Sequence, residues 1–180
     1  MNQAELKART EQILRDLHID PAVIAHRTLP YFEEVSEHLL EDVETDPETG
    51  KTYRLIAPAS AAWHKMKQQA AADGVEIYLV SAFRSLDYQA GLLRKKRDQG
   101  ISPAVFFTSL APPGCSEHHT GCAVDINTPG CDEVTGVFGE TEAFQWLQAN
   151  AAGFGFVMSF PLNNPWGFIY EPWHWCWHPQ

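Results

Sequence analysis

A chain of 180 residues with a formal net charge of -10 is long enough for one domain with a sizeable core. It is too acidic for a nucleic-acid partner, which needs a basic field against phosphate. Its 44% hydrophobic and 20% charged residues argue against disorder, and no stretch approaches the roughly 20 apolar residues that span a bilayer.

In chain order, the N-terminus Met1-Asn2-Gln3-Ala4-Glu5-Leu6-Lys7 is polar. It lacks the basic start and apolar run of a secretory signal, so the chain as written is expected in the cytoplasm. A signal removed beforehand would leave the same sequence and put the protein in the periplasm. Residues 3–17 predict a helix with Ile13, Leu14 and Leu17 inward. Asp20-Pro21 predicts another helix start, with Asp20 as cap and Pro21 at the first helical position. Residues 38–56 predict a hairpin around Asp46-Pro47-Glu48-Thr49-Gly50.

Pro58–Asp73 predicts a helix whose helical spacing is carried by Ala61, Ala62, Met66, Gln69 and Ala70, closed by Gly74. Val75–Val80 predicts a strand that delivers Ser81-Ala82-Phe83-Arg84-Ser85. Ser85 then caps a helix to about Gln99, with Leu86, Gln89, Ala90 and Leu93 inward. Its Arg94-Lys95-Lys96-Arg97 run reads most simply as a solvated face. A short helical stretch near 103–109 leads through Pro112-Pro113-Gly114 to Ser116-Glu117-His118-His119-Thr120-Gly121-Cys122-Ala123-Val124-Asp125. Gly121–Ile126 predicts a strand and Glu140–Ala152 a helix ended by Gly153. Phe154–Phe160 and Phe168–Trp175 predict two late strands. Late strands joined by short turns predict an antiparallel sheet and hence an α+β class. Cysteines 115, 122, 131 and 176 form no C-x-x-C pair, which disfavours a cysteine zinc site. A Cys115–Cys131 bridge would form only in an oxidising compartment.

His118, Asp125 and His174 suit three protein ligands for one catalytic zinc, with a fourth position left for water. Gly121 allows the turn between the first two. Glu171 precedes His174 by three, so a plain strand would send the two to opposite faces. Pro172 favours a kink there that would reunite them. Zinc lowers the pKa of a coordinated water towards about 7, and Glu171 would take a proton from it and pass it to the leaving amine. Arg84 would hold a terminal carboxylate in bidentate fashion, helped by Gln89 and Ser116. His119 and Cys176 stand as further ligand candidates of lower weight. Neighbouring side chains seldom aim at one metal, and Cys176 has only its strand parity with His174. His18, His26, His38, His64 and His178 read as ordinary histidines.

Ser116-x-His118-x-x-Gly121-x-Ala123-x-Asp125 followed by Glu171-Pro172-Trp173-His174 resembles the D-alanyl-D-alanine carboxypeptidase family. These are zinc peptidases of the LAS group, which also holds LD-carboxypeptidases, D-Ala-D-Ala dipeptidases and the hedgehog signalling domain. Ser81–Ser85 with Gln89 looks like the family's substrate-binding element, and Gly153-Phe154-Gly155-Phe156 also fits. The resemblance implies zinc on His118, Asp125 and His174, Glu171 as base, and Arg84, Gln89 and Ser116 on the substrate. It implies a small single α+β domain of LAS/hedgehog type, a central antiparallel sheet flanked by helices, with 1–54 as a helical and hairpin extension and 55–177 as the catalytic core. The implied partner is a peptidoglycan stem peptide ending in D-alanine, cut by a monomer at a D-Ala-D-Ala or an L,D bond. Two readings compete: a wall endopeptidase, and a zinc-binding module without catalysis. Relatives often carry Gln where His119 stands, a basic residue at Cys176, and an arginine in the strand matching Met158-Ser159-Phe160.

Overall fold

The computed structural model describes residues 2–179. Helix α1 (Gln3–Asp16) opens with a capping box in which Asn2 and Glu5 satisfy each other's backbone N–H groups. Asp20 accepts from the Ala22 N–H and starts a 3-10 turn at Pro21–Ile24, as the Asp-Pro pair predicts. Strands β1 (Leu40–Thr45) and β2 (Thr52–Ile56) form the predicted antiparallel hairpin.

Helix α2 (Ala57–Ala72) buries Ala59, Trp63, Met66 and Ala70, spaced at four, three and four residues. The inward face is thus displaced from the expected set, since Ala61 and Gln69 face solvent. Strand β3 (Tyr78–Ser81) is shorter than expected, and helix α3 (Leu86–Asp98) starts at Ser85, whose side chain accepts from the Tyr88 N–H. A short helix α4 (Pro103–Phe106) follows, then strand β4 (Ala123–Asn127), helix α5 (Glu142–Asn150), and strands β5 (Phe156–Met158) and β6 (His174–Trp177). A 3-10 turn carries α5 on past Gly153, and Gly155, at φ +86°, is the left-handed stop.

β3, β4, β6 and β5 lie in that order in one antiparallel sheet. The predicted strand over Phe168–Trp175 therefore survives only at its end. Pro172 has no N–H for a ladder, and the backbone from 168 to 173 runs as irregular chain and turn.

Two hydrophobic clusters hold the domain. The larger joins α2, α5, the hairpin and the back of the sheet through Trp63, Leu55, Ile126, Phe138, Leu147 and Phe156. The second packs Leu14, Leu17 and Ile24 of the N-terminal region on Leu93 of α3 and on Phe106, Phe160 and Phe168. The cleft described below is lined by residues of α3 and by Phe160 and Phe168. The N-terminal segment also bonds directly to the central motif. The N–H of Phe32 donates to Gly114 O and that of Val35 to His119 O (2.7 and 2.9 Å), while Glu34 accepts from the Leu86 N–H at the start of α3.

All four cysteines are free, so the Cys115–Cys131 bridge is not formed. Cys115 is buried in the second cluster and Cys131 packs against the first. Burial pushes the Cys115 thiol up to about 12. No helix among the described residues is long and apolar enough to cross a membrane.

Candidate active site

Asp125 lies on the central strand β4, opposite His174 on β6 and Ser81 on β3. Direct cross-strand partners send their side chains to the same face, so the ladder itself brings Asp125 to His174. His118 arrives from the 3-10 turn Glu117–Thr120, which ends at Gly121 with φ +70°. A Cβ at Gly121 would meet Leu40 Cδ2 at 2.9 Å and Ile56 Cγ2 at 3.0 Å. Glycine is needed there for both conformation and space, and a replacement would cost about 1 to 3 kcal/mol in backbone strain alone.

The donor atoms of His118, Asp125 and His174 lie within 4.8 Å of one another, and all three residues are buried. His118 Nδ1–H donates to the Ala82 carbonyl at 2.6 Å. A carbonyl only accepts, so this bond fixes the tautomer and leaves Nε2, 3.3 Å from Asp125 Oδ2, as the atom that could bind a metal. His174 Nδ1 lies 3.0 Å from Asp125 Oδ1, while its Nε2 lies 2.9 Å from Glu117 Oε2. Ser159 Oγ donates to the same Glu117 oxygen at 2.5 Å.

Electrostatics favour a cation at this point. Burial by itself would raise the Asp125 pKa, but the Arg84 guanidinium and the hydrogen bond from His174 hold it well below the usual range. Burial would lower that of His174, yet its bonds to Asp125 and Glu117 lift it to about 10. Burial, helped by the charge of Arg84, pulls His118 down to about 4, so it stays neutral and able to ligate. A divalent cation between these atoms would take the place of the His174 proton. The donor set of two imidazoles and one carboxylate, each with an oriented partner, fits zinc.

Glu171 joins through a tight turn. The His174 N–H donates to Glu171 O at 3.1 Å, with Pro172 at the second position, and the turn brings both side chains to one cleft. Burial lifts the Glu171 pKa to about 7. Arg84 lines the same cleft of about 630 Å3. Its Nε donates to Ser81 Oγ at 2.8 Å and its Nη2 to Asp125 Oδ2. Gln89 is wholly buried, and its Nε2 donates to the Ala111 carbonyl at 2.8 Å. That bond fixes the amide orientation and leaves Oε1, without a partner, as an acceptor. Ser116 is buried beside His118 and also lines the cleft.

Two residues to which the sequence reading gave no positioning role hold this arrangement in place. Glu117 orients His174, as above. His119 lies outside the ligand group. Its Nδ1–H donates to Arg84 O at 2.7 Å and its Nε2 accepts from the Gly114 N–H at 3.0 Å, tying the Arg84 segment to the motif loop. One donor and one acceptor are what a glutamine amide also offers, and a glutamine often stands there in the resembling family. Cys176 pairs with Ala123, two residues along the ladder from Asp125 and His174, and is not part of the group.

A family model described as VanY, D-alanyl-D-alanine carboxypeptidase, matches residues 52–180. The YodJ protein of Bacillus subtilis (strain 168) is 34% identical over 154 residues, 81% of this chain and 55% of its own. A D-alanyl-D-alanine carboxypeptidase of Enterococcus faecalis is 35% identical over 115 residues, covering 58% of this chain and 41% of the relative. The chain thus spans about half the length of these curated relatives.

Among solved structures, the LdcB LD-carboxypeptidase superposes with a TM-score of 0.69 at 30% identity, over 82% of this chain and 71% of that one. A point variant of the vancomycin-resistance D,D-pentapeptidase VanY, in complex with Zn(II), gives 0.61 at 28% identity, over 80% and 82%. With the matched segment holding the hairpin strand, the motif turn, β4 and β6, the chain belongs to the VanY D-alanyl-D-alanine carboxypeptidase family.

Proposed function

We propose that this chain is a zinc-dependent carboxypeptidase that removes the terminal D-alanine from peptidoglycan stem peptides. The observation that carries the reading is the meeting of His118, Asp125 and His174 with Glu171 and Arg84 in one cleft. Zinc held by the three ligands supplies a Lewis acid for the scissile carbonyl and acidifies a coordinated water.

The chain's own residues do the rest. Glu171, with its pKa lifted by burial to about 7, suits both halves of a proton transfer near neutral pH. It accepts a proton from the attacking water and returns it to the leaving amine nitrogen. Glu117 and the Ala82 carbonyl hold the two imidazoles in their ligating orientation. Arg84 gives the site its positive charge. A cation on Asp125 would compete for the carboxylate that Nη2 now holds, and that edge of the guanidinium would then be free for the substrate's terminal carboxylate. Gln89, with only Oε1 unengaged, suits an N–H of the substrate better than its carboxylate.

The test compares three peptides on the zinc-loaded protein: a stem pentapeptide, a stem tetrapeptide, and the pentapeptide with its C-terminus amidated. Release of D-alanine from either free peptide, with the amide at least tenfold slower in kcat/KM, is the expected result. The peptide that is cut assigns the D,D or L,D bond. Equal cleavage of the amide, or cutting at an internal bond, would favour an endopeptidase and remove Arg84 from its assigned role.

A further inference from the structure

Helix α3 carries more than Gln89 into the cleft. Tyr88, Gln89, Leu92, Lys95, Lys96 and Gln99 all line it, at the spacing of one helix face. The stripe begins at a wholly buried amide with an unpaired acceptor and runs past apolar Leu92 to two exposed ammonium groups. The basic run is mostly solvent-exposed, as expected, and two of its members also border the cleft. Arg97 is bonded to Asp98 and to the Leu17 carbonyl, whereas Lys95 and Lys96 carry no ion pair among the described residues. Cations in a last helical turn complement the helix dipole, but that role does not require them to face the cleft.

We propose that Lys95 and Lys96 form an anionic subsite that binds a second carboxylate of the substrate peptide, upstream of the bond that is cut. The inference rests on the carboxypeptidase reading and adds to it a substrate requirement. Six or seven helical residues separate Gln89 from the lysines, a rise of about 9 to 10 Å. An extended peptide covers that distance in about three residues. The peptide lies along α3, with its scissile end beside His118 and an acidic residue about three positions back. In a stem pentapeptide the free α-carboxylate of the γ-linked D-glutamate at position two meets that requirement. Its amidated form does not.

The test uses the zinc-loaded full chain and a Lys95→Gln/Lys96→Gln double variant, which keeps helix propensity. Three substrates are compared: a pentapeptide with the free carboxylate at position two, the same peptide amidated there, and an acylated L-Lys-D-Ala-D-Ala tripeptide. The wild type is expected to prefer the free carboxylate by about three- to tenfold in kcat/KM, through two exposed ion pairs. This preference should shrink as ionic strength rises. The double variant should treat the two pentapeptides alike and match the wild type on the tripeptide. A wild type with no preference, or a double variant that retains it, overturns the subsite while leaving the carboxypeptidase reading intact. An enzyme found to cut the L,D bond is tested in the same way with the two matching tetrapeptides and an acylated L-Lys-D-Ala, and a wild type that cuts neither series withdraws both.

Discussion

Glu171→Gln is expected to lower kcat by about 10^2- to 10^4-fold, the usual contribution of a positioned general base, with zinc affinity unchanged. The substitution keeps the shape of the side chain and removes only its capacity to take a proton. Glu171 is not one of the three clustered ligands, so the metal should not notice the change. Its position depends on the turn between Glu171 O and the His174 N–H, a backbone bond that glutamine preserves. Burial, which raises its pKa to about 7, makes the carboxylate basic enough to work at neutral pH. The check pairs steady-state kinetics with zinc affinity by chelator competition. Full turnover in the variant would mean that another group takes the proton. A parallel loss of zinc would mean that Glu171 is a ligand.

Glu117→Ala is expected to weaken zinc binding by about 10- to 100-fold, the range for a carboxylate that orients a ligating imidazole. Glu117 meets His174 Nε2 at 2.9 Å and is itself held by Ser159. It therefore sets which nitrogen of His174 faces Asp125. Without it the ring can turn, and the proton can settle on the nitrogen that must ligate. Glu117→Gln should be the milder change, since an amide oxygen still accepts from Nε2–H. Zinc affinity by chelator competition, with kcat read at saturating zinc, separates this role from direct catalysis. If the alanine variant bound zinc as tightly as the wild type, the orienting role would be wrong.

The meeting of His118, Asp125 and His174 was legible in the sequence because a strict strand period and a required glycine constrain where their side chains go. The Pro172 kink was legible for the same reason, since proline cannot join a ladder. Its form was not: a turn replaces most of a predicted strand, and β6 begins only at His174. Glu117 was hidden because an acidic residue beside His118 gives no sign of its partner, which lies 57 positions away on β6. His119 was set aside as a ligand, but its place between Gly114 and Arg84 depends on two backbone atoms that no side-chain pattern announces.

The stretch around Phe32, Glu34 and Val35 escaped in the same way. It has no regular structure, and two of its three contacts with the motif and α3 come from backbone N–H groups. Gln89 was foreseen at the site, but only its bond to Ala111 tells which end of the amide is free. The basic run of α3 was foreseen as exposed. That two of its members line the cleft follows from the placement of the helix, fixed by Leu86, Ala90 and Leu93 against the rest of the fold.

The central claim is that one zinc ion on His118, Asp125 and His174 drives release of a terminal D-alanine. The direct test is to strip the protein with a chelator and titrate zinc back while D-alanine release from a stem peptide is followed. Activity should be absent at the start, rise linearly and level off at one zinc per chain, with Asp125→Ala remaining inactive throughout. Full activity in the stripped protein, or a plateau at one zinc with no D-alanine released from either stem peptide, would contradict it.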